Sequence, residues 1–426
     1  MTGVQIDLGE VRETGTAPPG RPPVPYKALL AALSVVLAGL LGGAAHRGPP
    51  DEPTIVPARI GDDTWVIGDR LYVVGSGRLE NGEPATERTV TGYALPDVEL
   101  VSRTAVPLEG EIERIEPAGD VLLVSYRFDA DGTRTVVAVR TGTGERLWQR
   151  FVRLVDASPE AGTVLLADDR RFYLADLATG ALRWRVDRPA DGFVAEAGFR
   201  SGRASWLVTV TDSGRLETRD ARTGRVIATA RVAGHRNRAN GQVWPTGDVM
   251  LVQDGDEYYG FRLPELTRLW RTDADIMHSW GQSDCGVVLC AYRMERGIMA
   301  LDPATGVQRW TSDRWAYAEA AGAYLLASSQ DRTVGTPWLW VLDPATGTVL
   351  GDFGEWQGAG PAADGRIYGV REMPGKYVIS YGVLDPATRR AEILGQAGMI
   401  SGGCQAAAGV LYCRRVDASI AVWRLG

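Results

Sequence analysis

Short apolar runs separated by turn residues fill the chain from Thr54 to its end. VVAV (Val136 to Val139), FYLA (Phe172 to Ala175), IMAL (Ile298 to Leu301) and LWVL (Leu339 to Leu342) are bounded by turn signals and too short for helices. Each leads into a turn and then a second short run, which often carries a tryptophan: Trp148, Trp184, Trp270 or Trp310. Two more runs, divided by Gly or Asp, precede each such hairpin, as in Ile112 to Tyr126 and Asn240 to Asp254. Strand-period alternation is visible throughout, and helical periodicity is almost absent. The pattern predicts units of four antiparallel strands.

The units repeat about every 41 residues. LDPATG stands at Leu301 to Gly306 and again at Leu342 to Gly347, and LDPATR at Leu384 to Arg389. ADLATG (Ala175 to Gly180), RDARTG (Arg219 to Gly224) and VRTGTG (Val139 to Gly144) are weaker copies. FRLPEL (Phe261 to Leu266) and YALPDV (Tyr93 to Val98) hold the same place with other residues. In such a turn Asp accepts hydrogen bonds from the amides ahead of it, Pro fixes one φ, and Gly supplies a positive φ at the end. Four-stranded units repeated radially make an all-β β-propeller. The recurrent Trp on the outer strand is expected to fill the wedge between blades.

Eight turn-bearing hairpins are followed by an incomplete unit, Met399 to Gly426, which has three strands. TIVPARI (Thr54 to Ile60) can supply its missing outer strand, closing the ring from both ends and removing free edges. The count is then nine blades; eight, within the common range, is the alternative.

One segment breaks the β pattern. Ala28 to Ala45 holds 18 residues without a charge, enough to cross a bilayer. Arg12, Arg21 and Lys27 precede it, which places the N-terminus in the cytoplasm. The expected organisation is a Pro-rich, disordered cytoplasmic tail over 1–26, a transmembrane signal-anchor helix over 27–45, a linker over 46–53 and the propeller over 54–426. A cleaved signal peptide, with Gly43, Ala44 and Ala45 at the cleavage site and a secreted product, is the alternative. Either way the propeller is extracytoplasmic.

Composition narrows the chemistry. The net charge is -7, so a broad nucleic-acid surface is not expected. Lysine occurs only at Lys27 and Lys376, and with abundant Ala and Gly this reads as the coding bias of a high-GC bacterium. His occurs only at His46, His235 and His278, which leaves little material for imidazole relays or metal sites. No P-loop, zinc-protease or nucleophile-elbow string occurs. Asp129 to Gly132 is read as a hairpin turn rather than a calcium loop. His278 and Trp280 are placed on the innermost strand of their unit, with Trp244 in a comparable place one unit earlier. These three residues are the candidate ligand pocket of the channel, and packing is the plain alternative.

The four cysteines form two close pairs. Cys404 and Cys413 flank a turn near Ala408 and Gly409 and face each other across it, which predicts a disulfide. Cys285 and Cys290 can pair or remain buried thiols. Cys290 and Cys413 hold equivalent positions three units apart and are not expected to meet.

The LDPATG turn followed by Trp four residues after its Gly resembles the PQQ-like repeat, over residues 54 to 426. That family includes the quinoprotein alcohol dehydrogenases. It also includes non-catalytic propellers, such as the lipoprotein subunit of the outer-membrane β-barrel assembly machine. The resemblance implies a propeller fold. In the enzymes it also implies a quinone stacked on Trp beside an adjacent-cysteine ring, a calcium ion and a catalytic Asp. This sequence has no adjacent cysteines and no motif that places the calcium ligands or the Asp. The expected function is therefore a membrane-anchored, non-enzymatic scaffold that binds a protein or an extracellular ligand, with no cofactor. A divergent PQQ- and calcium-dependent dehydrogenase, with Trp280 or Trp244 as the stacking ring, is the alternative.

Overall fold

The computed structural model describes residues 52–425 apart from 78–84, 109, 129–131, 188–191, 201–202, 212, 233–242, 256, 277–278 and 330–337. The expected tail, hydrophobic segment and most of the linker lie outside the described residues. Among those described, no helix is long and apolar enough to cross a membrane.

The short alternating runs pair into nine antiparallel sheets of four strands each. We number the blades in chain order: blade 1 over 63–107, blade 2 over 111–150, blade 3 over 153–187, blade 4 over 192–231 and blade 5 over 243–272. Blade 6 covers 279–312, blade 7 covers 315–354, blade 8 covers 357–398, and blade 9 joins 400–424 to 54–56. Within a blade the strands are hydrogen-bonded in sequence order, and first strands of neighbouring blades approach one another, as Gln357–Pro361 does Ile400–Ala407. Nine, not eight, is the count. One edge of the ring therefore carries every first-to-second hairpin and third-to-fourth turn, and we call it the turn edge. The opposite edge carries the second-to-third loops and the connections between blades, and we call it the loop edge.

Blade 9 closes as expected, with one refinement. Only Thr54–Val56 forms the outer strand, pairing Thr54 with Val422 and Val56 with Ile420. Pro57, which has no amide hydrogen to donate, follows at once. Val56 and Ile420 then pack with Leu71 of blade 1, so the closure is a buried apolar seam. Arg414 tightens it by donating to the carbonyls of Arg59 and Asp62.

The hydrophobic clusters lie between blades rather than within them. Leu123, Val136 and Trp148 of blade 2 pack with Leu154, Val164 and Leu166 of blade 3, for example. The outer-strand tryptophans occupy these wedges. Trp148, Trp270 and Trp310 donate from Nε1 to the carbonyls of Leu177, Pro303 and Pro344 in the next blade's turn, at 2.8–2.9 Å. Trp184 does the same to Arg222 at 2.9 Å. Each ring also lies flat on the glycine that ends that turn. A Cβ would come within 2.9 Å of Trp148 at Gly180 and within 2.6 Å of Trp310 at Gly347. The motif glycine thus answers two demands at once, a positive φ (66° and 69° at these positions) and room for the neighbour's indole.

At two junctions the tryptophan and the glycine are missing together. Ala228 stands at the Trp position of blade 4, and the next turn ends in Leu266, at φ 54°. The buried Leu266 fills the space, and Thr218 replaces indole as the donor, to the carbonyl of Pro264 at 2.6 Å. Gly351 stands there in blade 7, and the next turn ends in Arg389, at φ 58°, whose Cδ lies 2.6 Å from the Cβ that Gly351 lacks.

Both cysteine pairs are disulfides, and each joins the first strand or first hairpin of its blade to the second strand. Cys404 reaches Cys413 from a bulge between Gly402 and Gln405, beside the Ala408-Gly409 turn, with the Cα atoms 4.1 Å apart. The Cα atoms of Cys285 and Cys290 are 5.9 Å apart around a tight hairpin, and free thiols are absent among the described residues.

Candidate functional site

Both edges expose large apolar side chains, and they differ in how their turns are held. On the turn edge, the expected Asp geometry recurs. Asp176, Asp302 and Asp385 each accept from the two amides ahead of them through Oδ1, at 2.8–3.3 Å. A charged donor is added at two of them, Arg183 on Asp176 and Arg309 on Asp302. The Arg183 bond, helped by the Thr179 amide and hydroxyl, holds the Asp176 carboxyl down to about 2. Asp302 is lowered chiefly by Arg309, and Asp385 chiefly by the Thr388 hydroxyl. These carboxylates are occupied in holding turns.

The loop edge is different. Around blades 6 to 9 it exposes Met294, Trp338, Tyr377, Met399, Val416 and Ile60, with Tyr377 64% and Ile60 89% exposed. Four of these form one stripe. The amide of Ile400 donates to the Tyr377 carbonyl and that of Val416 to the Met399 carbonyl, each at 3.0 Å. Arg414 then ties the strand behind Val416 to the segment bearing Ile60. Tyr377 and Met399 stand at φ 49° and 62°. A large side chain in the left-handed region carries strain that glycine would relieve. Across the ring, the described residues of the loop edge include the polar run Asp168-Asp169-Arg170, and Phe151 is the one large exposed apolar residue among them.

Beside Trp338, the Arg314 guanidinium lies 4.1 Å from the Trp340 ring centre and 4.5 Å from that of Trp315. Trp338 itself stands 5.8 Å from Trp340. This gives the loop edge a second aromatic feature, next to the stripe, with a pinned cation.

The channel candidates are placed as follows. Trp244 is in the first strand of blade 5, Val243–Thr246, and stacks on the buried Tyr258 with centroids 6.3 Å apart. It packs with Ile276 and Leu289 between blades 5 and 6. Trp280 belongs to the first strand of blade 6, Ser279–Asp284, as expected, but its side chain lies outside the described residues. His278 precedes that strand rather than lying within it, and it too is outside the described residues, as are His46, His235 and Asp129 to Asp131. Of the three candidates, only the Trp244 side chain lies among the described residues. Among the described residues no group of three His, Cys, Asp or Glu is arranged to hold a metal ion.

A cleft of about 350 Å3 opens between blades 3 and 4 at the turn edge, lined by Asp156, Ser158, Glu160, Thr163 and Arg222 among others. The Asp156 carboxylate is buried and accepts from the Ala204 amide at 2.9 Å, which makes it a brace between the blades. Sequence reasoning singled out neither this cleft nor the apolar stripe. The stripe had one legible sign, large apolar residues such as Met399 and Tyr377 beside Gly and Pro in connecting segments.

Residues 86–258 match the family model described as outer membrane protein assembly factor BamB. No curated protein matches the chain. Among solved structures, BamB from Moraxella catarrhalis is 12% identical, over 89% of this chain and 98% of that one, with a TM-score of 0.43. The computationally designed Ika8 protein is 14% identical over 74% of this chain and 96% of that one, with a TM-score of 0.41. The dihydro-heme d1 dehydrogenase NirN is 13% identical over 70% and 66%, with a TM-score of 0.41. The matched span covers blades 2 to 4, including Trp148 and Trp184, and in that part the chain is similar to the PQQ-like repeat family.

Proposed function

We propose that the chain is a membrane-anchored, extracytoplasmic, non-enzymatic scaffold that holds a protein partner on its loop edge. The observation that carries this reading is the Tyr377–Met399–Val416–Ile60 stripe. Its four exposed apolar residues stand on segments joined by hydrogen bonds, and two of them are kept large at a backbone conformation that favours glycine. Apolar surface held in place against local strain is the property of a docking site. The uncharged segment Ala28 to Ala45 supports the anchor. The description of the matched family as an assembly factor is in keeping with a scaffold.

The test is site-specific photo-crosslinking in the cells that make the protein. A photo-reactive residue at Ile60 should give a discrete protein adduct in the membrane fraction. One at Val349, exposed on the turn edge, should not. Tyr377→Ser with Val416→Ser should remove the adduct. Equal adducts from both positions, or an adduct indifferent to that pair, would sink the proposed site. Recovery of the chain in the soluble fraction would sink the anchor.

A further inference from the structure

The outer strands divide the ring by charge. In blades 2 to 6 they carry eight Arg against one Asp. In the other four blades they carry two Arg against three acidic residues. In a chain of net charge -7, a basic arc over five consecutive blades is a local feature and not a reflection of composition. Some of its charge is spent internally, since Arg183, Arg271 and Arg309 pair with Asp176, Glu257 and Asp302. The centre of the arc is not. Arg222 and Arg225, in the turn of blade 4, are exposed, and no ion pair joins them to a carboxylate among the described residues. Arg268, on blade 5, is likewise exposed and stacks on Tyr259 at 4.7 Å.

Aliphatic side chains stand among these cations. Leu182, Val226 and Ile227 are 55%, 47% and 43% exposed. All three lie two or three residues past the glycine of their turn, so they stand at the turn edge. The described chain also begins at this edge. Thr54 pairs with Val422 and the strand runs toward the loop edge, ending at Val56 opposite Ile420. That entry is on blade 9, and blade 4 lies across the ring from it.

We propose that the turn edge at blades 3 to 5 rests on an anionic lipid surface, the face of the membrane that holds the chain. This rests on the anchor reading of Ala28 to Ala45. Exposed aliphatic groups beside arginines are the composition of an interfacial contact: the apolar groups enter the headgroup boundary and the guanidinium groups bind phosphates. A single tether at blade 9 leaves the ring free to swing. A weak second contact across the ring is then made at the high local concentration that the tether imposes, and it lays the turn edge on the membrane. The apolar stripe of the loop edge is turned outward by the same arrangement.

The test uses the full chain in lipid nanodiscs of phosphatidylcholine, with or without phosphatidylglycerol. All described cysteines are in disulfides, so Val226→Cys gives a single labelling site for an environment-sensitive dye. Acyl chains bearing a quencher report its depth. Quenching at position 226 should be about threefold greater in the anionic discs and should fall to the zwitterionic level in high salt. Arg222→Glu with Arg225→Glu should abolish the difference, and a dye at Tyr377→Cys should show none. Equal quenching in both discs, or none in either, overturns the proposal. If polyglutamate shifts the dye in the same Arg-dependent way and anionic discs do not, the arc serves an acidic protein and the proposal also falls. Failure of the chain to enter either disc counts against the anchor alone. Flotation with the same two lipids then decides the rim: binding confined to anionic vesicles supports it, and no binding overturns it.

Discussion

The turn edge and the loop edge are made by the same four-stranded unit, yet they spend their residues differently. At the turn edge, Asp, Gly and the incoming tryptophan satisfy one another. Asp302 caps its turn, Gly306 ends it, and Trp270 of the preceding blade covers that glycine and bonds to Pro303. Among the described residues of the loop edge no such closed arrangement recurs, and Met399 and Tyr377 are held open to solvent at positive φ. The difference teaches where a repeat fold can be altered. The edge that sets blade against blade must keep its residues, while the edge that only reconnects strands is free to carry a surface.

The sharpest way to break the comparison is to remove one residue from each edge and compare the costs. Trp310→Ala should cost about 3–5 kcal/mol, read as a lowered urea midpoint. The buried indole leaves a cavity between blades 6 and 7, and the Pro344 carbonyl loses its donor. Met399, apolar but exposed, should cost nothing when truncated. Similar losses from both would mean that the loop edge is structural.

Much of this was legible in the sequence for a physical reason. The Asp and Gly of LDPATG are dictated by backbone geometry within six residues, so a short string suffices to reveal the turn. The tryptophan four residues on belongs to the same local hairpin. The disulfide of Cys404 and Cys413 could be read because a two-residue turn fixes what stands opposite what. The paired substitutions could not be read so. Ala228 with Leu266, and Gly351 with Arg389, are partners across a blade junction and about 40 residues apart in sequence. The stripe was hidden for the same reason: Tyr377, Met399, Val416 and Ile60 come from four separate connections. The basic arc emerges only when strands are sorted by their place in the blade.

A smaller effect separates the edges by pH. Asp176, Asp302 and Asp385 have folded-state values below the ordinary aspartate range. A lowered value means that the folded state prefers the ionised group. The stabilisation is complete above the unfolded value and is lost as pH falls through the folded one. For Asp176 the window runs from about 4 down to about 2. The thermal midpoint should therefore drop across that range, and Asp176→Asn should remove part of the drop while lowering stability at neutral pH. A variant with the same acid limb as the parent would show that the turn edge gains nothing from this charge.

The smallest effect on stability should be the most informative about function. Met399 stands at φ 62°, where an L side chain is strained and glycine is not. Met399→Gly relieves that strain and removes a side chain that is 54% exposed. Relief is partly cancelled by the greater freedom of glycine in the unfolded chain, so the net gain should be about 0.5 kcal/mol. The same change should weaken the adduct formed from a photo-reactive residue at Ile60, because the stripe loses its middle. A protein that becomes slightly more stable while losing its partner would show that the strain at Met399 is retained for binding. Unchanged crosslinking in the stabilised variant would place the partner elsewhere, with Trp338 and Arg314 the next surface to probe.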